Sequence, residues 1–182
     1  TVVFKICSII LIPISMIEVV TPHYIAKLFS KNKKQLISLS RKISTYKFIL
    51  ATIVISIIFL FTKPIILIVF GIKFIELSQL IKIVSLSYYV RVVFGTSAQI
   101  LLLSDKARIL LTIRVLSLLI AFVIASIQNF SLLQILYLSI FYKSMIDLFS
   151  YTYVLFKMEI NTLPYFNLFK IRKIIMDDIV NR

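Results

Sequence analysis

FILATIVISIIFLFT, residues 48–62, holds no charged residue, no glycine and no proline, and sits within a longer apolar segment at 47–71. About 20 residues of helix cross the ~30 Å hydrocarbon core of a bilayer. Further segments of that kind occupy residues 3–27, 79–104, 109–128 and 131–156. In lipid every backbone N–H and C=O must be paired internally, so such segments are helices or parts of a closed barrel. Stretches such as 48–62 and 109–127 lack the alternation of barrel strands. The expected fold class is all-α: a polytopic transmembrane helical bundle of about five membrane-spanning helices at 1–156, with a basic cytoplasmic tail at 157–182.

Composition agrees with that class. Hydrophobic residues make up 60% of the 182 residues, and the mean hydropathy is +1.05, more than one soluble core can hide. The net charge of +14 would suggest nucleic acid in a soluble protein, but its location assigns it elsewhere. Lys27, Lys31, Lys33, Lys34, Arg41, Lys42 and Lys47 fill the first connection; Lys106, Arg108 and Arg114 flank the third; Lys157, Lys170, Arg172, Lys173 and Arg182 populate the tail. The opposite side keeps only Lys5, Lys63, Lys73 and Lys82. The positive-inside rule then makes Ser30–Ser44, Ser104–Arg108 and the tail cytoplasmic, with Gly71–Gln79 and Gln128–Ser131 outside. The basic excess is a topology signal with some attraction to membrane lipids; no nucleic acid is expected. Entry of the first span from outside implies upstream spans, so the chain reads as a fragment.

Along the chain, Pro13 and Thr21-Pro22 are expected to interrupt the first span. Residues 30–44 fit a short amphipathic helix in the headgroup region or an ordinary loop. Gly71 suits a helix stop, because glycine takes a left-handed C′ conformation without penalty. Ser104-Asp105-Lys106 turns the chain, Gln128–Ser131 forms a tight hairpin, and the tail apolar residues Leu163, Phe166, Phe169, Ile174 and Ile175 suit a surface-lying segment.

Catalysis has little to stand on. The lone histidine, His23, rules out a multi-histidine metal site and reads as a capping or interfacial residue. Two glycines cannot make a phosphate loop, and the single Cys7 gives neither a disulfide nor a thiolate cluster. No enzyme activity, cofactor or metal is expected. Charge at membrane depth stands out instead: Glu18, Arg91, Lys143 and Asp147. An ionisable group at the bilayer centre costs about 2.5–3.5 kcal/mol and marks a pathway, a partner or a water-filled cavity. Ser87, Arg91, Gly95 and Ala98 form one small and polar helical stripe. Arg91 and Lys143 are candidate substrate-binding cations; Glu18 and Asp147 are candidate ion-coupling groups. The competing reading makes Arg91 a structural ion-pair partner of Glu18 or Asp147, and lets Lys143 and Asp147, at i and i+4, neutralise each other. Six tyrosines, Tyr142 among them, suit either sugar stacking or an interfacial belt.

Thr21-Pro22-His23-Tyr24-Ile25-Ala26-Lys27-Leu28-Phe29, followed by a basic link to Arg41-Lys42, resembles the end of the eighth helix and the next loop of polysaccharide flippases. Ile66–Phe70, Gly71 and Phe74, then Leu80-Ile81-Lys82-Ile83, resemble the signature after their ninth helix, and Leu101–Lys106 falls at the turn before the eleventh. The resemblance covers residues 5–156. Asn129–Tyr142 departs from the family in lacking glycine and alanine.

The resemblance implies a Wzx-type O-antigen or polysaccharide repeat-unit flippase of the multidrug/oligosaccharidyl-lipid/polysaccharide exporter superfamily, with this chain supplying helices eight to twelve of a two-lobe protein in the bacterial inner membrane. It implies translocation of undecaprenyl-pyrophosphate-linked oligosaccharide by alternating access. The implied partners are that lipid-linked oligosaccharide, the missing N-terminal lobe, a polysaccharide polymerase and a chain-length regulator. A cation-coupled multidrug exporter and a non-transporting membrane scaffold subunit are the alternatives. The exporter calls for acidic cavity residues; the scaffold predicts that Arg91 and Asp147 face a protein contact with no cavity.

Overall fold

The computed structural model describes residues 2–29, 32–94, 96–127 and 132–167. Gly95, the Gln128–Ser131 hairpin, the tail beyond Asn167 and the side chains of Cys7 and Pro13 lie outside the described residues. The described residues are all-α: α1 (Val2–Phe29), α2 (Lys33–Phe70), a 3₁₀ turn at Ile72–Phe74, α3 (Leu77–Phe94), α4 (Thr96–Leu103), α5 (Ala107–Ile127) and α6 (Leu132–Met158). Three of these helices combine the length and apolarity needed to cross a membrane, within Lys33–Ile68, Leu77–Phe94 and Ala107–Ile127. That marks a membrane protein, with three such helices among the described residues against the five spans expected. α1 and α6 have the length, at 28 and 27 residues, but α6 carries Lys143, Asp147, Lys157 and several tyrosines.

Three local expectations are corrected. First, α1 is helical through Thr21-Pro22 and runs on to Phe29. Pro22 removes only the N–H that would reach the Glu18 carbonyl, and the Thr21 hydroxyl makes its own bond to the Ile17 carbonyl at 2.5 Å. His23 is therefore within the helix, exposed and edge-on to Tyr24 at 5.8 Å, rather than at its cap.

Second, residues 33–44 are neither a loop nor a separate surface helix. Asn32 caps α2, its side chain accepting from the Gln35 N–H at 3.1 Å, and the helix runs unbroken for 38 residues to Phe70. At 1.5 Å per residue α2 is about 57 Å long, nearly twice the hydrocarbon thickness, so its polar first turns are an extension of a span. Gly71 ends it at φ 84°, its N–H donating to the carbonyls of Ile66 and Leu67, both at 3.1 Å. A Cβ there would meet nothing within 4 Å, so conformation alone favours glycine.

Third, the start of the tail is packed rather than surface-lying. Glu159 takes φ 54°, the chain leaves α6, and residues 159–167 run without regular secondary structure beside α2 and α4. Ile160, Thr162 and Pro164 are buried. The Thr162 and Ser97 hydroxyls meet at 2.6 Å, and the Tyr165 N–H donates to Thr45 Oγ1 at 3.0 Å. Arg41 Nε donates to the Leu163 carbonyl at 3.3 Å, and its guanidinium stacks 3.9 Å over the Tyr165 ring. Lys33 meets Glu159 at 2.6 Å.

Two apolar clusters hold the bundle. One joins Ala51, Ile58 and Ile66 of α2 to Ile81, Val84 and Val92 of α3, with Leu136 and Ile140 of α6 alongside. The other gathers Ile25, Leu36, Ile100, Leu101, Leu110, Val154, Met158 and Ile160. This second cluster brings together the late part of α1, the start of α2, α4, the start of α5 and the end of α6. The basic connections between those segments accordingly share one end of the bundle. Outside, α5 exposes Leu111, Val115, Leu118, Leu119, Phe122 and Val123, the surface a helix presents to lipid.

Candidate functional site

Charged residues on an apolar helix must find a partner or water. Here five of them converge. A cavity of about 380 Å³ is lined by Glu18 of α1, Arg91 of α3, Arg114 of α5, and Lys143 and Asp147 of α6. Ala98, Gln99 and Leu102 of α4 and Tyr142 of α6 complete much of its wall. All four candidates from the sequence, Glu18, Arg91, Lys143 and Asp147, thus border one space. The i, i+4 spacing on α6 puts Lys143 and Asp147 on the same wall.

Gly95, between α3 and α4, lies outside the described residues, and helical residues on both sides of it, within the segment expected as one span at 79–104, border the cavity. Arg91 lies near the end of α3 and Ala98 near the start of α4, so the predicted polar stripe reaches the cavity on both sides of Gly95. The other face of α4 is pinned. Thr96 Oγ1 accepts from Ser44 of α2 at 3.0 Å, and Ser97 is held by Thr162. Hydroxyl pairing between close helices is a recurrent packing device in membranes.

The electrostatics differ from a set of simple ion pairs. Glu18 Oε1 is bonded at 3.3 Å by Lys47 Nζ, and the Lys47 side chain is 1% exposed. Glu18 thus has a structural cation behind it, and that cation is not Arg91. Arg91, Arg114 and Lys143 are exposed, whereas Asp147 is buried against the wall. The charges of Arg91, Glu18 and Arg114 all reach Asp147. Cations outnumber carboxylates around the cavity, and one carboxylate is already neutralised. Gln99 contributes a buried Oε1 that has no hydrogen-bond partner among the described residues, as does the Ser150 hydroxyl one turn beyond Asp147.

Two of these residues escaped the sequence reading. Arg114 and Lys47 were grouped with the basic connections as topology charges. The usable signal for Arg114 was position: it lies two turns inside α5, beyond Arg108 and within an apolar run. Lys47 gave no such signal, because its burial follows from α2 being one long helix.

The fold and cavity define a class: an all-α membrane protein with an open, charge-lined space between its helices. Beyond that class, comparison with known proteins returns nothing, since no protein-family model, no curated protein and no solved structure matches the chain.

Proposed function

We propose that the chain forms most of one lobe of a Wzx-type flippase that moves undecaprenyl-pyrophosphate-linked oligosaccharide, an O-antigen or polysaccharide repeat unit, across the bacterial inner membrane. The observation that carries this proposal is the cavity bearing Arg91, Arg114 and Lys143 inside a bundle whose exterior is apolar. A pyrophosphate-linked sugar must take an anionic, hydrogen-bonding head through about 30 Å of hydrocarbon. Guanidinium groups match phosphate oxygens in a bidentate fork, and Tyr142 and Gln99 offer a stacking face and an acceptor for sugar hydroxyls. The polyprenyl tail stays in lipid while two lobes alternate access to the head. Glu18 and Asp147 are the carboxylates available for ion coupling.

One observation bears on the cation-coupled exporter: both carboxylates do line the cavity. Lys47 already occupies the cation position at Glu18, however, and the cationic excess disfavours cationic drugs. The scaffold alternative loses support because Arg91 and Asp147 border a cavity rather than a closed contact.

The test is Arg91→Ala and Arg91→Lys in the two-lobe transporter, expressed in a flippase-deficient strain. Arg91→Ala should abolish surface polysaccharide at unchanged expression, and Arg91→Lys should retain part of it. Normal transport by Arg91→Ala would refute the proposal. So would a loss that tracks loss of folded protein and is reversed by neutralising Glu18 or Asp147.

A further inference from the structure

We infer a second ligand site at the end of the bundle opposite the basic connections: a pocket for the headgroup of a zwitterionic phospholipid that carries both a phosphate and a primary ammonium. Where α2 ends and the 3₁₀ turn leads into α3, a cavity of about 460 Å³ is lined by Lys63, Ile75, Glu76, Ser78, Gln79 and Lys82. This end of the chain is otherwise poor in charge, so two lysines and a glutamate around one space are a local concentration.

They do not neutralise one another. Among the described residues, neither Lys63 nor Glu76 makes an ion pair or a side-chain hydrogen bond, and the Lys82 ammonium rests only over the Phe59 ring, 5.6 Å from its centre. Two ammonium groups and one carboxylate therefore border the cavity with ionic capacity to spare. Lys63, Lys82 and the positive end of the α3 dipole suit a phosphate. Glu76 suits an ammonium and repels a headgroup that is only anionic.

Position selects a lipid over a soluble phospho-amine. The cavity flanks the turn between α2 and α3, at the joined ends of two helices long and apolar enough to cross a membrane. Leu60, Leu67 and Ile68 on the same stretch of α2 are exposed, an apolar surface for acyl chains beside the headgroup pocket. This site is independent of the transport proposal and of the Arg91 cavity.

The test is lipid retention by the purified chain in detergent, read by native mass spectrometry after incubation with phosphatidylethanolamine, phosphatidylglycerol or free phosphoethanolamine. Phosphatidylethanolamine should be retained about fivefold over phosphatidylglycerol, the scale of one partly exposed ion pair. Glu76→Gln should bring that ratio to about one, while the Lys63→Gln/Lys82→Gln double variant should lower retention of both lipids about fivefold. Lys73→Gln, on the 3₁₀ turn outside the cavity, should change neither. Equal retention of the two lipids by the unmodified chain overturns the inference, and so does a preference that survives Glu76→Gln. Competition by free phosphoethanolamine as strong as by the lipid would make this a soluble-ligand site and overturn it too.

Discussion

The two faces of α4 are both polar, and they are handled in opposite ways. Toward α2 and residues 159–167, Thr96 and Ser97 meet Ser44 and Thr162, hydroxyl against hydroxyl, with backbone and guanidinium bonds closing the seam. Toward α1, α5 and α6, Ala98, Gln99 and Leu102 border a space ringed by charges that mostly remain exposed. Small hydroxyls satisfied by one another let helices approach closely. Full charges cannot be satisfied so cheaply and are tolerated only beside water or a committed partner. The seam is thus built for packing and the cavity for occupancy. Lys47 stands between them as a cation enclosed by protein and tied to a cavity carboxylate.

Removing charge should therefore give different results on the two sides. The largest effect is expected at Lys47: Lys47→Met leaves the partly exposed Glu18 without its cation and should cost about 1–3 kcal/mol, the scale for losing a charged hydrogen-bond partner. Adding Glu18→Gln should recover most of it. Thermal and denaturant unfolding in detergent measure both, and a single-variant cost below that of the double variant would dissolve the distinction.

In the seam, Thr162→Val should cost about 1 kcal/mol. Ser97→Ala should add little to it, since each removes the same bond. Fully additive losses would show that the hydroxyls act separately. On the cavity side, Arg114→Leu should move stability by less than about 0.5 kcal/mol, as expected for an exposed group outside packing. A large loss there would turn the cavity wall into a structural network.

The smallest effect is expected at the rim of the seam. The Lys33 ammonium, hydrogen-bonded to Glu159, holds that carboxyl below its usual range. A depressed carboxylate favours folding above its ordinary titration range and loses that contribution as pH falls through the lowered value. Glu159 is exposed, so Glu159→Gln should lower the unfolding midpoint only marginally near neutral pH. That small difference from the parent should vanish on the acid side, where the parent carboxylate is protonated as well.

Much of the helical class was legible in the sequence, because long apolar runs admit few alternatives. α5 spans Ala107–Ile127 where hydropathy outlines 109–128, and α6 spans Leu132–Met158 where it outlines 131–156. The unbroken length of α2 was hidden by Ser38, Ser40, Ser44 and Thr45, which read as a polar link. Ser40, Ser44 and Thr45 are buried, and for Ser44 and Thr45 only their partners, Thr96 and Tyr165, reveal why. Asn32 three residues before Gln35 was an available cap signal. The packed tail was hidden for a similar reason: Thr162 and Tyr165 look like surface residues until Ser97 and Thr45 are placed beside them. For the cavity, charge at membrane depth pointed to Glu18, Arg91, Lys143 and Asp147, but Lys47 as the partner of Glu18 depends on tertiary structure alone.

The central claim is that the cations of α3, α5 and α6 surround water inside a membrane bundle. Thiol accessibility tests it most directly. In a Cys7→Ser background, Ala98→Cys on the cavity wall and Phe122→Cys on the outer face of α5 are reacted in intact membranes with anionic and cationic thiosulfonate reagents of equal size. Cys at position 98 should label readily, and faster with the anionic reagent, while position 122 stays unreactive. Position 98 as refractory as 122, or labelled faster by the cationic reagent, would contradict a water-filled, cation-lined cavity.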